Sequence, residues 1–307
     1  MSPAIASQTN LQIALGSGST GVFEAGVPVL DGEAVDNLFV RAQPAGQGGA
    51  FTLFADGDWL VGAASFPAAS GLEQAAHRLY LDLLRATEGR HLARIWNYVP
   101  AINEPGPAGL ENYRSFCQGR SLAFEEQLGA DFKFLVPAAS AVGCKSTDLT
   151  IAFAASKTTP RHVENPRQVP AYDYPREYGP RSPSFARATI VPQDDRATVF
   201  ISGTAAIRGH VTVAPDGVAE QLDCTLENLG EISRACGLGP SLDRDGRSTR
   251  HFKVYLRHAA DQPLVASMLE KKFFTNTDRI SYLQAEICRA PLLVEIEATL
   301  FGVAGVR

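Results

Sequence analysis

Six prolines fall between Pro160 and Pro183, and they limit how this chain can be divided into folding units. Proline fixes its own φ and has no N–H to donate, so it breaks helices and is excluded from central strands. Residues 160–183 can therefore be neither a regular helix nor a central strand. They form either a linker or a rigid loop that presents side chains. The side chains on offer are Arg161, Arg167, Arg176, Arg181, Tyr172, Tyr174 and Tyr178. Loops carry binding and catalytic groups out of proportion to their length.

On either side of this segment the chain runs through a similar cycle of elements. Before it, Leu11–Leu15, Asn37–Arg41, Phe51–Phe54 and Trp59–Gly62 read as short strands between glycine-rich turns. Residues 71–89 read as a helix, with Leu72, Ala75, Ala76, Leu79, Leu83 and Leu84 near helical spacing. A strand over Arg94–Val99, a helix over Leu110–Leu128 and strands at Phe132–Val136 and Leu149–Phe153 follow. After it come strands at Ala186–Val191 and Thr198–Ser202, a helix over Val218–Cys236, a strand over His251–Leu256 and a helix over Leu264–Phe274. Two final strands are expected at Tyr282–Arg289 and Leu292–Ala298. The order strand, strand, helix, strand, helix, strand thus occurs twice, without a residue-level repeat. It predicts an α+β fold of mixed sheets with helices packed on one face. The expected units are an N-terminal α+β domain over residues 1–156, a connecting loop over 157–184 and a C-terminal domain over 185–307.

Bulk composition excludes several classes. With 45% hydrophobic residues the chain can bury sizeable cores. A formal charge of −5 provides no global field for nucleic acid or anionic lipid, so an anionic ligand would need a local arginine cluster. Cys117, Cys144, Cys224, Cys236 and Cys288 are an odd, scattered set with no CxxC pair, which argues against a disulfide framework and a zinc site. The six histidines form no ligand-spaced pair. No run is long and apolar enough to span a bilayer. A reduced, cytoplasmic protein without metal is expected.

Gly16-Ser-Gly-Ser-Thr-Gly21 matches the dinucleotide-binding pattern GxGxxG, but that function needs a helix to open at the third glycine. Gly26 and Pro28 forbid a useful one, so the match reads as a glycine turn. Ser202 lies in Ile-Ser-Gly-Thr-Ala, without the GxSxG nucleophile elbow. Arg114, Arg120, Arg181 and Arg187 are candidate anion ligands, because guanidinium groups bind carboxylates bidentately and stay charged. In the last two strands, alternation places Gln284, Glu286 and Cys288 on one face, and Glu295 and Glu297 on a face opposite Val294, Ile296 and Ala298. From the residues alone, this is an α+β protein suited to a small anionic substrate, with the reaction left open.

Two resemblances go further. Thr198-Val-Phe-Ile-Ser-Gly-Thr-Ala205, residues 218–229, Ala235-Cys-Gly-Leu238, Phe252-Lys-Val-Tyr-Leu-Arg257 and Val294-Glu-Ile-Glu-Ala298 resemble the YjgF/RidA family. That family has a mixed sheet with two helices on one face and sites between the subunits of a trimer. Trp96-Asn-Tyr-Val-Pro-Ala-Ile-Asn103, residues 111–120, Tyr178-Gly-Pro-Arg-Ser-Pro-Ser-Phe-Ala-Arg187 and Gln284-Ala-Glu-Ile-Cys-Arg289 resemble the chorismatases. This likeness runs from about residue 90 to residue 298.

The second resemblance implies cleavage of chorismate to pyruvate and a ring product, with no metal or organic cofactor. It implies that Glu295 is the acid. It implies that Cys288 directs the products toward 3-hydroxybenzoate, alone or with 4-hydroxybenzoate. Carried onto this chain, Tyr113, Arg120, Tyr178, Arg181, Arg187, Tyr255 and Gln284 become the expected substrate-binding residues. Two alternatives stay open: a chorismate hydrolase giving a dihydroxycyclohexadiene carboxylate, and a non-catalytic RidA-like metabolite-binding protein. Ser281-Tyr282 stands where RidA enzymes carry their substrate arginine, which argues against imine or enamine hydrolysis. A monomer is expected, since one chain of this length supplies several such surfaces.

Overall fold

The computed structural model describes residues 9–16, 21–69, 71–107, 109–239, 241–242 and 248–306. Three strands open it: β1 (Asn10–Ala14), β2 (Val22–Gly32) and β3 (Val35–Asp36). The N-terminal unit follows with β4 (Gln43–Gly48), β5 (Phe51–Asp56), β6 (Trp59–Pro67), α1 (Leu72–Ala86), β7 (His91–Pro100), α2 (Asn112–Leu128), β8 (Ala138–Cys144) and β9 (Asp148–Ser156). The proline-rich stretch contributes β10 (Arg161–Val163) and two single 3-10 turns, Ala171–Asp173 and Arg176–Tyr178. The C-terminal unit comprises β11 (Ala188–Gln193), β12 (Arg196–Ala205), the small hairpin β13 (Ile207–Arg208) and β14 (Val211–Thr212), α3 (Val218–Ala235), β15 (Thr249–Leu256), α4 (Gln262–Lys272), β16 (Arg279–Gln284) and β17 (Val294–Ala304).

The two units share one topology. The N-terminal sheet contains the order β5-β6-β9-β7-β8, and the C-terminal sheet contains β11-β12-β17-β15-β16. In each, one parallel pair, β7 with β8 or β15 with β16, is joined through a crossover helix. The doubled element order in the sequence thus corresponds to a doubled sheet.

The sheets stack face to face. Trp59, Val61, Trp96 and Tyr98 from one meet Phe200, Tyr255 and Leu283 from the other. Helices α1 and α2 cover the outer face of the first sheet, and α3 and α4 that of the second. The periodic residues of α1, Leu72, Ala75, Ala76, Leu79, Leu83 and Leu84, are all buried, as their spacing predicts. Gly119 lets α2 press onto α1, where an added Cβ would lie 2.0 Å from the Glu73 carbonyl oxygen. Side chains also tie the two sheets together. The amides of Ala138 and Ala139 donate to Thr189 Oγ1 at 2.7 Å and Ser202 Oγ at 2.9 Å. Ser202 Oγ in turn donates to the Ala186 carbonyl at 2.6 Å, a linking rather than a nucleophilic role.

Several expectations need correction. Residues 10–36 do not belong to the N-terminal sheet, because β2 pairs antiparallel with β16 and extends the C-terminal one. β10 joins that sheet too, so residues 157–184 are not wholly a linker. Asn37–Arg41 is not a strand, and Phe132–Phe134 is a 3-10 turn ahead of β8, which the sequence reading missed. β16 and β17 do not pair with each other: both flank β15. β16 ends at Gln284, so Glu286 and Cys288 lie in the connection to β17 and strand parity says nothing about them. Residues 17–20 of the glycine motif lie outside the described residues, and a strand, not a helix, follows at Val22.

Candidate active site

β17 reads Val294-Glu-Ile-Glu-Ala298, and its alternation holds. Val294, Ile296 and Ala298 enter the core under α3 and α4. Glu295 and Glu297 point the other way, between the sheets, and each is only 3% exposed. Their surroundings differ sharply.

Glu297 is enclosed by donors from three strands. Arg94 Nη2 lies 2.7 Å from Oε2 and Ser140 Oγ 2.5 Å from the same oxygen. Trp96 Nε1 donates to Oε1 at 2.9 Å, and Lys253 Nζ lies 3.0 Å from it. Burial alone would raise this carboxyl, but Lys253, Arg94 and the Ser140 hydroxyl overcome that and hold it at about 2. Lys253 also pairs with Asp36 from β3.

Glu295 accepts no hydrogen bond from any described residue and faces a cavity. Burial first, then the charge of Glu297, push it up to about 8, against the pull of Arg94 and Arg187. It is therefore a carboxylic acid at neutral pH, able to donate a proton. Gly203 of β12 makes room for it, since a Cβ there would lie 2.0 Å from Glu295 Oε1.

The cavity measures about 500 Å³ and is walled by both units. Glu111, Tyr113 and Arg114 come from the start of α2. Tyr174, Tyr178, Phe185 and Arg187 come from the proline-rich segment and its continuation. Cys288 and Arg289 come from the β16–β17 connection. Arg187 donates to Tyr174 Oη at 2.7 Å and to the Val169 carbonyl at 3.2 Å, while its buried Nε has no partner among the described residues. Arg289 lies over the Tyr178 ring at 4.1 Å and donates to the His210 carbonyl at 2.7 Å. Tyr178 Oη is 3.1 Å from His210 Nδ1. Neither Arg187 nor Arg289 forms an ion pair with any described carboxylate, so both charges remain available to an anion. Burial and the neighbouring Glu295 push the Cys288 thiol up to about 12. It stays protonated and shapes the wall instead of acting as a thiolate nucleophile. Burial likewise keeps Tyr113 a phenol.

Of the residues expected from sequence, Glu295, Cys288, Tyr113, Tyr178 and Arg187 meet at this cavity. Four do not. Arg120 is buried behind the wall, between α1 and α2, with its guanidinium over Phe116 at 5.0 Å and Nη2 3.6 Å from Cys117 Sγ. Arg181 points away and pairs with Glu125 at 2.5 Å. Tyr255 stands directly across from Glu295 on β15, but its ring is sealed in the inter-sheet core. Gln284 lines a different cleft of about 960 Å³, with Arg257, Lys145 and Glu286. That cleft is larger, but among the described residues none of the carboxylates lining it, Glu104, Asp148 and Glu286, is buried. The sequence reading missed Arg289, Phe185, Gly203 and the Arg94–Ser140–Lys253 cluster. A lysine between Phe252 and Val254 in an apolar strand was the available signal for that cluster.

Among the described residues no group of His, Cys, Asp or Glu is arranged to hold a metal ion. Nor is any helix long and apolar enough to cross a membrane.

Comparisons with known proteins show the family. Residues 39–155 match the family model described as chorismatase FkbO/Hyg5-like, N-terminal. A 3-hydroxybenzoate synthase from Streptomyces hygroscopicus is 36% identical over 258 residues, covering 80% of this chain and 74% of that protein. A chorismatase from Streptomyces rapamycinicus is 36% identical over 252 residues, covering 79% and 75%. A crystal structure of a chorismatase superposes with a TM-score of 0.78 at 29% identity, over 97% of this chain and 95% of the other. The chain belongs to the chorismatase family.

Proposed function

We propose that the cavity binds chorismate and that Glu295 starts its cleavage to pyruvate and a hydroxybenzoate. The observation that carries this reading is a buried carboxyl that accepts no hydrogen bond from a described residue and is pushed up to about 8, facing a cavity where Arg187 and Arg289 form no ion pair with any described carboxylate. Chorismate is a dianion with an enol ether. Its two carboxylates suit two guanidinium groups, and its ether needs a proton on the terminal methylene carbon.

Glu295 delivers that proton, leaving a cation at the pyruvyl carbon and a carboxylate on the protein. Water adds to the cation and gives one proton to the Glu295 carboxylate, restoring the acid; the resulting hemiketal then passes its hydroxyl proton to the ring oxygen and collapses to pyruvate and a ring alcohol. If the neighbouring ring hydroxyl then leaves as water with a ring hydrogen, the ring aromatises and no net water is consumed. If the hydroxyl stays, the product is a dihydroxycyclohexadiene carboxylate.

We favour 3-hydroxybenzoate, because a relative of that name is 36% identical and Cys288 lines the wall beside Glu295. Both walls of the cavity come from one chain, which supports a monomer as the working unit.

The test is to incubate purified protein with chorismate, follow pyruvate with a coupled dehydrogenase, and separate the ring products by chromatography. Pyruvate with 3-hydroxybenzoate is expected. Pyruvate with only the diene acid would make the chain a hydrolase. No pyruvate, with tight binding of another metabolite, would replace the enzyme by a binding module.

A further inference from the structure

Between the sheets, Glu297 belongs to a closed set of buried charges. Arg94 of β7 and Lys253 of β15 are its cations, and Glu297 and Asp36 of β3 its anions. All four are nearly inaccessible to solvent. His251 lies 3.6 Å from Asp36 and is kept neutral by burial, so it adds no charge. The other groups facing the two glutamates are neutral: Trp96 and Tyr98 of β7, Ser140 of β8, Tyr255 of β15 and the Cys288 thiol. Arg187 and Arg289 face the cavity; Arg187 draws the Glu295 carboxyl down, but burial and the Glu297 charge outweigh it with or without a ligand. Within the cluster itself two cations therefore face two anions, and it is balanced before Glu295 is counted.

A low-dielectric interior tolerates a balanced set of charges far better than an unbalanced one. Ionised Glu295 would be a third anion two residues along the same strand face, with no donor of its own.

We propose that Glu297 and Lys253 are positioning residues that keep Glu295 in its acid form by charge balance. The inference rests on the reading of Glu295 as the proton donor, and it makes the acid's state a property of the whole cluster. Removing one anion anywhere in the cluster leaves a positive surplus, which Glu295 fills by ionising. Removing one cation has the opposite effect. Removing one of each restores the balance.

The test uses Glu297→Gln, Lys253→Met, the double variant, and Asp36→Asn. In Glu297→Gln the new amide keeps the shape and an acceptor for Trp96, but carries no charge. The alkaline limb of that variant's pH–rate profile should move down by at least about one unit, with kcat at neutral pH falling about tenfold or more and KM changing little. Lys253→Met should not move the limb down. The double variant should recover most of the loss in Glu297→Gln.

A purely structural role predicts the reverse, a double variant worse than either single one, and that result would overturn the proposal. Asp36→Asn serves if Glu297→Gln does not fold. Asp36 forms no hydrogen bond or ion pair with Glu295, yet charge balance still requires the limb to move down, and an unmoved limb would refute the idea. The protonation of Glu295 can also be titrated without substrate, from its carboxylic C=O infrared band with Glu295→Gln as the blank. A band lost at lower pH in Glu297→Gln supports the inference even if chorismate proves not to be the substrate. A band that titrates as in the unaltered protein sinks it even if chorismate is cleaved.

Discussion

Glu295→Gln should produce a protein that is inactive but more stable, increasingly so as pH rises. In the unfolded chain this carboxyl ionises near the ordinary 4.5, whereas the fold holds its proton up to about 8. Between those values the folded state binds more protons than the unfolded one, so stability falls as pH rises through the window. Each unit corresponds to about 1.36 kcal/mol, so Glu295 costs under about 1 kcal/mol near pH 5 and about 4 kcal/mol near pH 7.5. Glutamine has no proton to lose. It also forfeits no hydrogen bond to a described residue, since Glu295 accepts none. At about 2 cal/mol/K per residue, a chain of 307 residues should gain about 6 °C in Tm near pH 7.5 and about 1 °C near pH 5. Calorimetric scans of both proteins at several pH values between these limits measure the difference directly. A gain that is the same at every pH, or a variant less stable than the parent near pH 7.5, would refute the account of Glu295 as a buried neutral acid.

Gly203→Ala should cut turnover at least tenfold while leaving the far-ultraviolet circular dichroism unchanged, because the new methyl would occupy the space that the Glu295 carboxyl fills. Cys288→Ala should shift products toward the dihydroxy diene acid, since a smaller side chain admits water beside the ring. An unchanged product ratio on chromatography would remove Cys288 from the reaction. Arg187→Met should raise KM about tenfold or more, while Arg181→Ala, outside the cavity and paired with Glu125, should change neither constant more than about twofold. Steady-state kinetics on the two variants separates an anion ligand from a surface ion pair.

Local periodicity made much of this fold legible. α1, α3, β7 and β15 lie close to where their apolar spacing puts them, because each buries a single stripe or face. The alternation of β17 correctly sends Glu295 and Glu297 away from Ile296. The errors arise where the deciding contact is distant in sequence. Nothing local to Val22–Gly32 shows that it will pair with β16. Nothing in Gln284-Ala-Glu-Ile-Cys shows that the strand stops at Gln284. The site arginines follow the same rule. Arg181 and Arg187 lie six positions apart in one irregular segment, where no periodicity tells an outward side chain from one turned into the cavity. Cys288 proved to be at the cavity although the parity argument for it failed. The resemblance had placed it by motif, not by strand geometry.

The pairing of β2 with β16 also bears on how the chain is made. Gly32 lies opposite Ser281, about 250 residues later. At ribosomal speeds of about 5–20 residues per second, the second partner emerges roughly 10–50 s after the first. During that interval β1 and β2 can pair only with each other and with the two-residue β3, and so small a sheet is marginal in water. β1 and β2 are thus made long before the strand they dock onto, leaving an unpaired strand edge exposed to neighbouring nascent chains. A bulky fusion ahead of Asn10 would act on that delayed docking step, lowering the yield of folded protein while the catalysis of molecules that do fold stays intact.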